Sequence, residues 1–225
     1  MIHEKIGAYF GEVTGDPHHR YRSWEHCYRF FRELTPSGIA AQRQNAALQL
    51  GFYLASWGMY RGSTFLLQRA YTVHLGVVDC LASPRFAPLW EREFGSEADE
   101  VEFVPVILDA AKEISTAYSQ FGEPTETLVT KVLLGTFGCL PACDQYFIAG
   151  FRGAGLGYSY LNAKFVKKLL AFSCEHLAEL RREQAIIRNH SGAHYPLMKL
   201  VDMYFWQLGY EAGAQREIER QVNGG

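Results

Sequence analysis

Three observations predict an all-α fold. Apolar residues recur at i, i+3, i+4 and i+7 spacing nearly everywhere, and no stretch shows clean period-two alternation with β-branched enrichment. The chain of 225 residues is 48% hydrophobic and 20% charged, long and apolar enough to bury a proper core. The reading is of a largely single helical domain over 1–225, with one candidate subdomain seam near 94–99 at Gly95-Ser96.

The elements follow in chain order. Trp24, Cys27, Tyr28 and Phe31 fall on one helical stripe, with Ser23 placed as N-cap, so a first helix is expected over about 23–34. Thr35-Pro36-Ser37-Gly38 breaks it, because proline disfavours helical geometry in the residue before it. From 39 to 82 the pattern carries Leu48, Phe52, Ala55 and Met59 on one stripe, then Phe65, Leu66, Arg69 and Val73. Gly58 and Gly62 cost about 1 kcal/mol each in a helix, so a break near 61–63 is expected, and Gly51, Ala55, Gly58 and Gly62 form a ridge for close helix packing. Ser83-Pro84 caps a short helix through Trp90. Pro105 opens a stretch with Ile107, Ala111, Ile114 and Tyr118 on one side. Helices are then expected at 125–134, 141–151, 162–189 and 196–213, with a flexible glycine loop at 153–157.

Charge and cysteine usage narrow the class. Net charge is −2, so nothing in the global balance attracts phosphate or an anionic membrane, and any nucleic-acid role must rest on a local basic face. Residues 91–126 carry a balance of −8 and residues 127–200 one of +5. Five cysteines, an odd number without regular spacing, read as reduced thiols, and the start of the chain has no apolar core of a secretory signal, so a cytoplasmic location is expected. The most apolar stretch, 46–57, is well short of the roughly 18 to 20 residues that cross a bilayer, and no membrane partner is expected.

No metal or cofactor is expected either. Metal chemistry needs several donors converging, and His190/His194, Cys139/Cys143, Cys174/His176 and His18/His19 supply no two matched pairs. The Gly153–Gly157 loop lacks the preceding strand and following Lys-Ser/Thr of a nucleotide loop, and there is no Gly-x-Ser-x-Gly elbow. Two clusters mix aromatic and basic residues: Arg20-Tyr21-Arg22-Ser23-Trp24-Glu25-His26 and Trp57-Gly58-Met59-Tyr60-Arg61-Gly62-Ser63. Such residues stack bases and neutralise phosphates, and they also anchor protein interfaces.

The stretch Phe121-Gly122-Glu123-Pro124-Thr125-Glu126-Thr127-Leu128, followed by Leu140-Pro141-Ala142-Cys143-Asp144, resembles the core segment of the helix-hairpin-helix DNA glycosylase superfamily, over roughly a tenth of the chain (121–147). The resemblance implies that Gly122 lies at the first hairpin glycine, where backbone amides approach a DNA phosphate. It implies that Asp144 is the active-site aspartate at the start of the next helix, stabilising positive charge on a sugar or activating a water. The base would leave the stack for a pocket that Trp57, Tyr60 or Tyr146 could line. Pro124 replaces the second hairpin glycine, Glu123 and Glu126 would repel phosphate, and no lysine occupies the hairpin, since Lys131 lies a full turn further on, so lyase chemistry is not implied.

Two functional expectations follow. The first is a helix-hairpin-helix-like nucleic-acid binder, of base-excision type if catalytic, with Lys164, Lys167, Lys168, Arg181 and Arg182 supplying phosphate contacts if they share a face. The second is a non-enzymatic helical protein whose aromatic and arginine clusters bind a protein partner or a second copy.

Overall fold

The computed structural model describes residues 1–34, 36–96 and 98–223, the side chains of 98–100 and 218–223 excepted. Among the described residues there are α-helices and 3-10 turns and no strand, as expected. The helices are α1 (Ile2–Gly15), α2 (Arg22–Glu33), α3 (Pro36–Ala41), α4 (Arg43–Ser56), α5 (Leu75–Leu81), α6 (Ala87–Glu91), α7 (Val104–Ser119), α8 (Glu126–Gly135), α9 (Gln145–Gly153), α10 (Ala163–Glu175), α11 (Leu177–Ser191) and α12 (Leu197–Asn223). None is long and apolar enough to cross a membrane.

Several boundaries differ from expectation, each for a local reason. α1 precedes the helix expected to be first: Ile2, Ile6, Tyr9, Phe10 and Val13 are its buried stripe. Ser23 is not a cap. It lies inside α2, whose N-cap is Tyr21, and its hydroxyl donates to the Arg20 carbonyl. Pro36 does not merely break the chain, since its fixed φ suits the first turn of α3. α4 stops at Ser56, five residues before the expected break, and is followed by a turn and two 3-10 segments, Phe65–Gln68 and Tyr71–His74. Its buried side carries Ala46, Ala47, Leu50, Tyr53 and Leu54, so the stripe of Leu48 and Phe52 faces solvent. Of the small-residue ridge Gly51 lies against the His74 imidazole from another element, while Gly58, against the Arg61 side chain of its own turn, and Gly62 lie beyond the helix. Asp144 accepts from the Tyr146 and Phe147 amides, so α9 starts at Gln145 rather than at Pro141. The expected 162–189 helix is two, α10 and α11, turning at His176. At the expected seam, Phe94 is buried and Gly95 lies against Ser173 and Met198, whereas position 97 falls outside the described residues.

The core is aromatic and continuous. Phe147, Phe151, Phe165 and Phe205 make successive edge-on contacts with ring centroids 5.0–6.3 Å apart, each pair adding about 0.5–1.5 kcal/mol beyond its area. The most extensive contact between two helices is α9 with α12. It is a backbone crossing: a Cβ at Gly150 would collide with the Phe205 carbonyl, and one at Gly209 with the Tyr146 carbonyl. Glu93 ties the α6–α7 connection to this scaffold, accepting from Arg181 Nη1 and Gln184 Nε2 at 2.5 Å each and from the Leu197 amide at 3.2 Å at the start of α12. Burial pushes the Glu93 carboxyl up, but hydrogen bonds from His194, Arg181 and Gln184 more than offset it and hold it at about 2.

Gly209→Ala will destabilise the protein by at least about 2 kcal/mol in urea unfolding because backbones cannot step aside. Gly213→Ala, whose Cβ meets only the Tyr146 ring at 3.8 Å, will be neutral or stabilising by up to about 1 kcal/mol. Because the folded-state value of Glu93 lies below its ordinary 4.5, its stabilisation is complete above that pH and is lost as pH falls towards 2. Urea midpoints measured from neutral to acid pH will therefore fall less steeply in Glu93→Gln than in wild type, from a lower neutral value.

Candidate functional site

A buried cluster of four charges lies where α8, α9 and α12 meet the end of α4. Lys131 comes from the middle of α8, Asp144 caps α9, and Lys199 and Asp202 occupy the first turns of α12. Lys131 Nζ is 3.6 Å from Asp144 Oδ2 and donates to the Trp57 carbonyl at 3.3 Å. Lys199 Nζ donates to Asp202 Oδ2 at 2.8 Å and to the Tyr9 hydroxyl at 3.1 Å. Asp202 Oδ1 accepts the Ala142 amide at 3.0 Å, which fixes the turn that presents Asp144. The side chains of Lys131, Lys199 and Asp202 are at most 5% exposed, that of Asp144 16%.

The charges balance, which is why they can be buried. An unpaired charge in this environment would cost several kcal/mol. Burial pushes the Lys131 ammonium pKa down, Asp144 and Asp202 pull it back only in part, and Lys199 pushes it lower still. Burial pushes the Asp202 carboxyl up against the opposing pull of Lys199. Aromatic faces complete the enclosure: Lys131 Nζ lies 5.1 Å from the Trp57 ring centroid, and Lys199 Nζ lies 4.8, 5.1 and 5.5 Å from Tyr9, Trp24 and Trp57. The indole N–H groups of Trp57 and Trp206, both at the cavity between these residues, are buried without an acceptor. That cavity is only about 10 Å³, the space of one water.

Trp57 closes the cluster from outside, and the two aromatic–basic segments of the sequence meet on it. Tyr21 stacks on Trp57 with centroids 4.9 Å apart, and the Arg20 guanidinium lies 5.9 Å from the same ring. The chain leaves α4 at Trp57 through Gly58, whose φ of +75° is open to glycine and strained for other residues. It then forms one wall of an open cleft of about 670 Å³ with Arg61, Ser63 and Phe65, opposite Glu123, Thr125 and Leu128.

That opposite wall is the segment of the hairpin resemblance. α7 and α8 are joined by residues 120–125, and Thr125 caps α8 by accepting the Leu128 amide. Gly122 packs against the Phe65 ring with no room for a Cβ, a packing reason for glycine here. Glu126 is consumed internally by the Tyr158 hydroxyl and by the Leu161 amide at 2.5 Å, so it presents no free carboxylate to a phosphate.

The other expected residues are dispersed. Tyr60 is outside the cluster: its hydroxyl bonds His74 Nε2 at 2.5 Å, and His74 Nδ1 meets the Tyr118 hydroxyl at 2.7 Å. Burial pushes His74 down to about 4, so this imidazole is neutral. Tyr146 packs on Trp206 and Tyr210 and does not line the cavity. The five basic residues do not act as one free face: Arg181 pairs with Glu93, and Lys168 donates to the Gly157 carbonyl at 2.7 Å. Lys164, Lys167 and Arg182 are exposed. No group of three or more His, Cys, Asp or Glu side chains among the described residues is placed to hold a metal.

Sequence reasoning missed Lys199 and Asp202 and discounted Lys131. Their one legible signal was charge inside apolar helical stripes, as in Leu197-Met198-Lys199-Leu200-Val201-Asp202. Breaking one half of the Lys199–Asp202 pair will cost about 3–5 kcal/mol in Asp202→Leu or Lys199→Met, and the double variant will recover part of that loss in urea unfolding. Comparison with family models, with curated proteins and with solved structures finds no match to this chain.

Proposed function

We propose that this chain binds nucleic acid through a helix-hairpin-helix-like element and acts on it at Asp144 by base-excision-type chemistry. The observation that carries the reading is the position of the segment from Trp57 to Phe65. Trp57 seals the buried Lys131–Asp144 pair, and a few residues on, Arg61, Ser63 and Phe65 face the hairpin across the open cleft. A strand held in the cleft is therefore one short segment away from the buried carboxylate. Arg61 is exposed and has no ion-pair partner among the described residues, so its charge is available to a phosphate. Arg20 lies over the Tyr21–Trp57 stack, and a Trp57 that swings out leaves the Tyr21 face for an unstacked base.

A base cannot enter about 10 Å³, so the reaction requires Trp57 to swing out, and Gly58 is the adjacent residue able to absorb the backbone change. In the opened site the C1′–N bond breaks and its electron pair leaves with the base. Water adds its oxygen to C1′, and the Asp144 carboxylate faces the developing cation and takes the proton of that water. Lys131 holds the second carboxylate oxygen, and the two α9 amides hold the first, so the group is fixed in direction before substrate arrives.

The reading is tested with a labelled duplex carrying a damaged base. If about three phosphates are neutralised, affinity will fall about 40-fold between about 50 and 200 mM salt, and Arg61→Gln will lower the slope by about one. Asp144→Asn, which keeps the helix cap, will bind as wild type and release no base. No binding at the lower salt, or base release undiminished in Asp144→Asn, rejects it. The protein-interface reading draws on the solvent-facing Leu48, Phe52 and Leu67, which are 48%, 65% and 49% exposed. It predicts concentration-dependent mass in sedimentation and no response to salt in that range.

A further inference from the structure

On the far side of Trp24 from Lys199 lies a second cavity, of about 440 Å³, between α2 and the loop at 191–194. Its size is that of a small-molecule site. Arg22 lines it from the first turn of α2 and Arg29 and Arg32 from its last turns, with His26 between them and His194, 3.4 Å from Glu93, across from them.

The carboxylates in this cavity leave part of that charge unmatched. Glu25 is 3.4 Å from Arg22 Nη1 and also accepts the Tyr195 hydroxyl at 2.8 Å. Glu33 reaches Arg29 only at 3.9 Å, with both side chains more than two-thirds exposed. Arg32 has no carboxylate partner among the described residues: its Nη1 donates at 2.5 Å to the neutral carbonyl of Trp90. The Nε of Arg22 is buried and has no acceptor at all. A buried donor left unmet is unfavourable, so the Arg22 guanidinium is not fully satisfied by its neighbours.

We infer that this cavity binds a phosphoryl group on a small ester, held by Arg22, Arg29 and Arg32. Three guanidinium groups along one helix face present more donors than the two oxygens of a carboxylate can accept, whereas a phosphomonoester offers three oxygens. Tyr28 and Trp24 form the apolar wall against which the organic part of the ester rests. The same chemistry is found in a free phosphorylated metabolite and at the 5′ end of a nucleic-acid strand, and the site does not depend on the hairpin cleft or on Asp144.

Calorimetric titration of the full chain tests this with inorganic phosphate, a nucleoside 5′-monophosphate, and a short single strand with and without its 5′-phosphate. Saturable binding of a phosphorylated probe is expected, weakened about tenfold in each of Arg29→Gln and Arg32→Gln. Arg29 is exposed, so its variant will keep the wild-type melting temperature. Arg61→Gln will leave binding of phosphate and monophosphate unchanged, which separates this cavity from the hairpin cleft. Equal affinity for the monophosphate and the phosphorylated strand assigns the site to a free ester, and a preference for the phosphorylated strand assigns it to a strand end. No saturable binding below about 10 mM, or binding unaltered in both arginine variants, overturns the inference.

Discussion

The crossing of α9 and α12 at Gly150 and Gly209 sets the geometry on which the candidate site depends. With no side chains between them, the two backbones touch, and the aromatic core of Phe147, Phe151 and Phe205 packs around that contact. Beside that crossing, just before Tyr146, the turn that leads into α9 lies against the first turns of α12. Asp202 then receives the Ala142 amide, and Asp144 is held facing Lys131. Any residue larger than glycine at the crossing would move the aspartate relative to its lysine.

A cluster of two lysines and two aspartates in a core is an expensive arrangement for stability alone. Hydrophobic residues of similar volume would usually hold the same helices as well or better. Here each charge has a partner of opposite sign, and the ring faces of Tyr9, Trp24 and Trp57 attract the ammonium groups. Burial also lowers the Lys131 pKa, bringing its amine nearer to the neutral form, and leaves two indole N–H donors without acceptors. Perturbed titration beside unmet donors in a small cavity makes this cluster the candidate site. Trp57, stacked under Tyr21 and Arg20, closes the cluster on that side.

Where the sequence was legible, the signal was local. Thr125 stands at the expected start of a helix and caps α8 by accepting the Leu128 amide, whereas the cap at Asp144 lay three residues beyond the start expected at Pro141. The α7 stripe of Ile107, Ala111, Ile114 and Tyr118 is buried as its 3.6-residue period demands. Where the periodicity was ambiguous, tertiary contacts chose. α4 has apolar residues on two sides, and neighbours cover Leu50 and Leu54, leaving Leu48 and Phe52 in solvent. The turn at His176 has neither proline nor glycine to announce it.

The helical class, the starts of α2, α7, α8, α10 and α12 to within one residue, and the two aromatic–basic clusters were all written in residues a few positions apart. The tertiary structure alone decided that Trp57 stacks on Tyr21, that Glu126 is occupied by Tyr158 and Leu161, and that Lys131 and Asp144 share a cavity with Lys199 and Asp202 from nearly 60 residues downstream. A lysine within an apolar stripe looks like a misfit until the opposing carboxylate is seen, because charge pairing over long separations leaves no trace in local spacing.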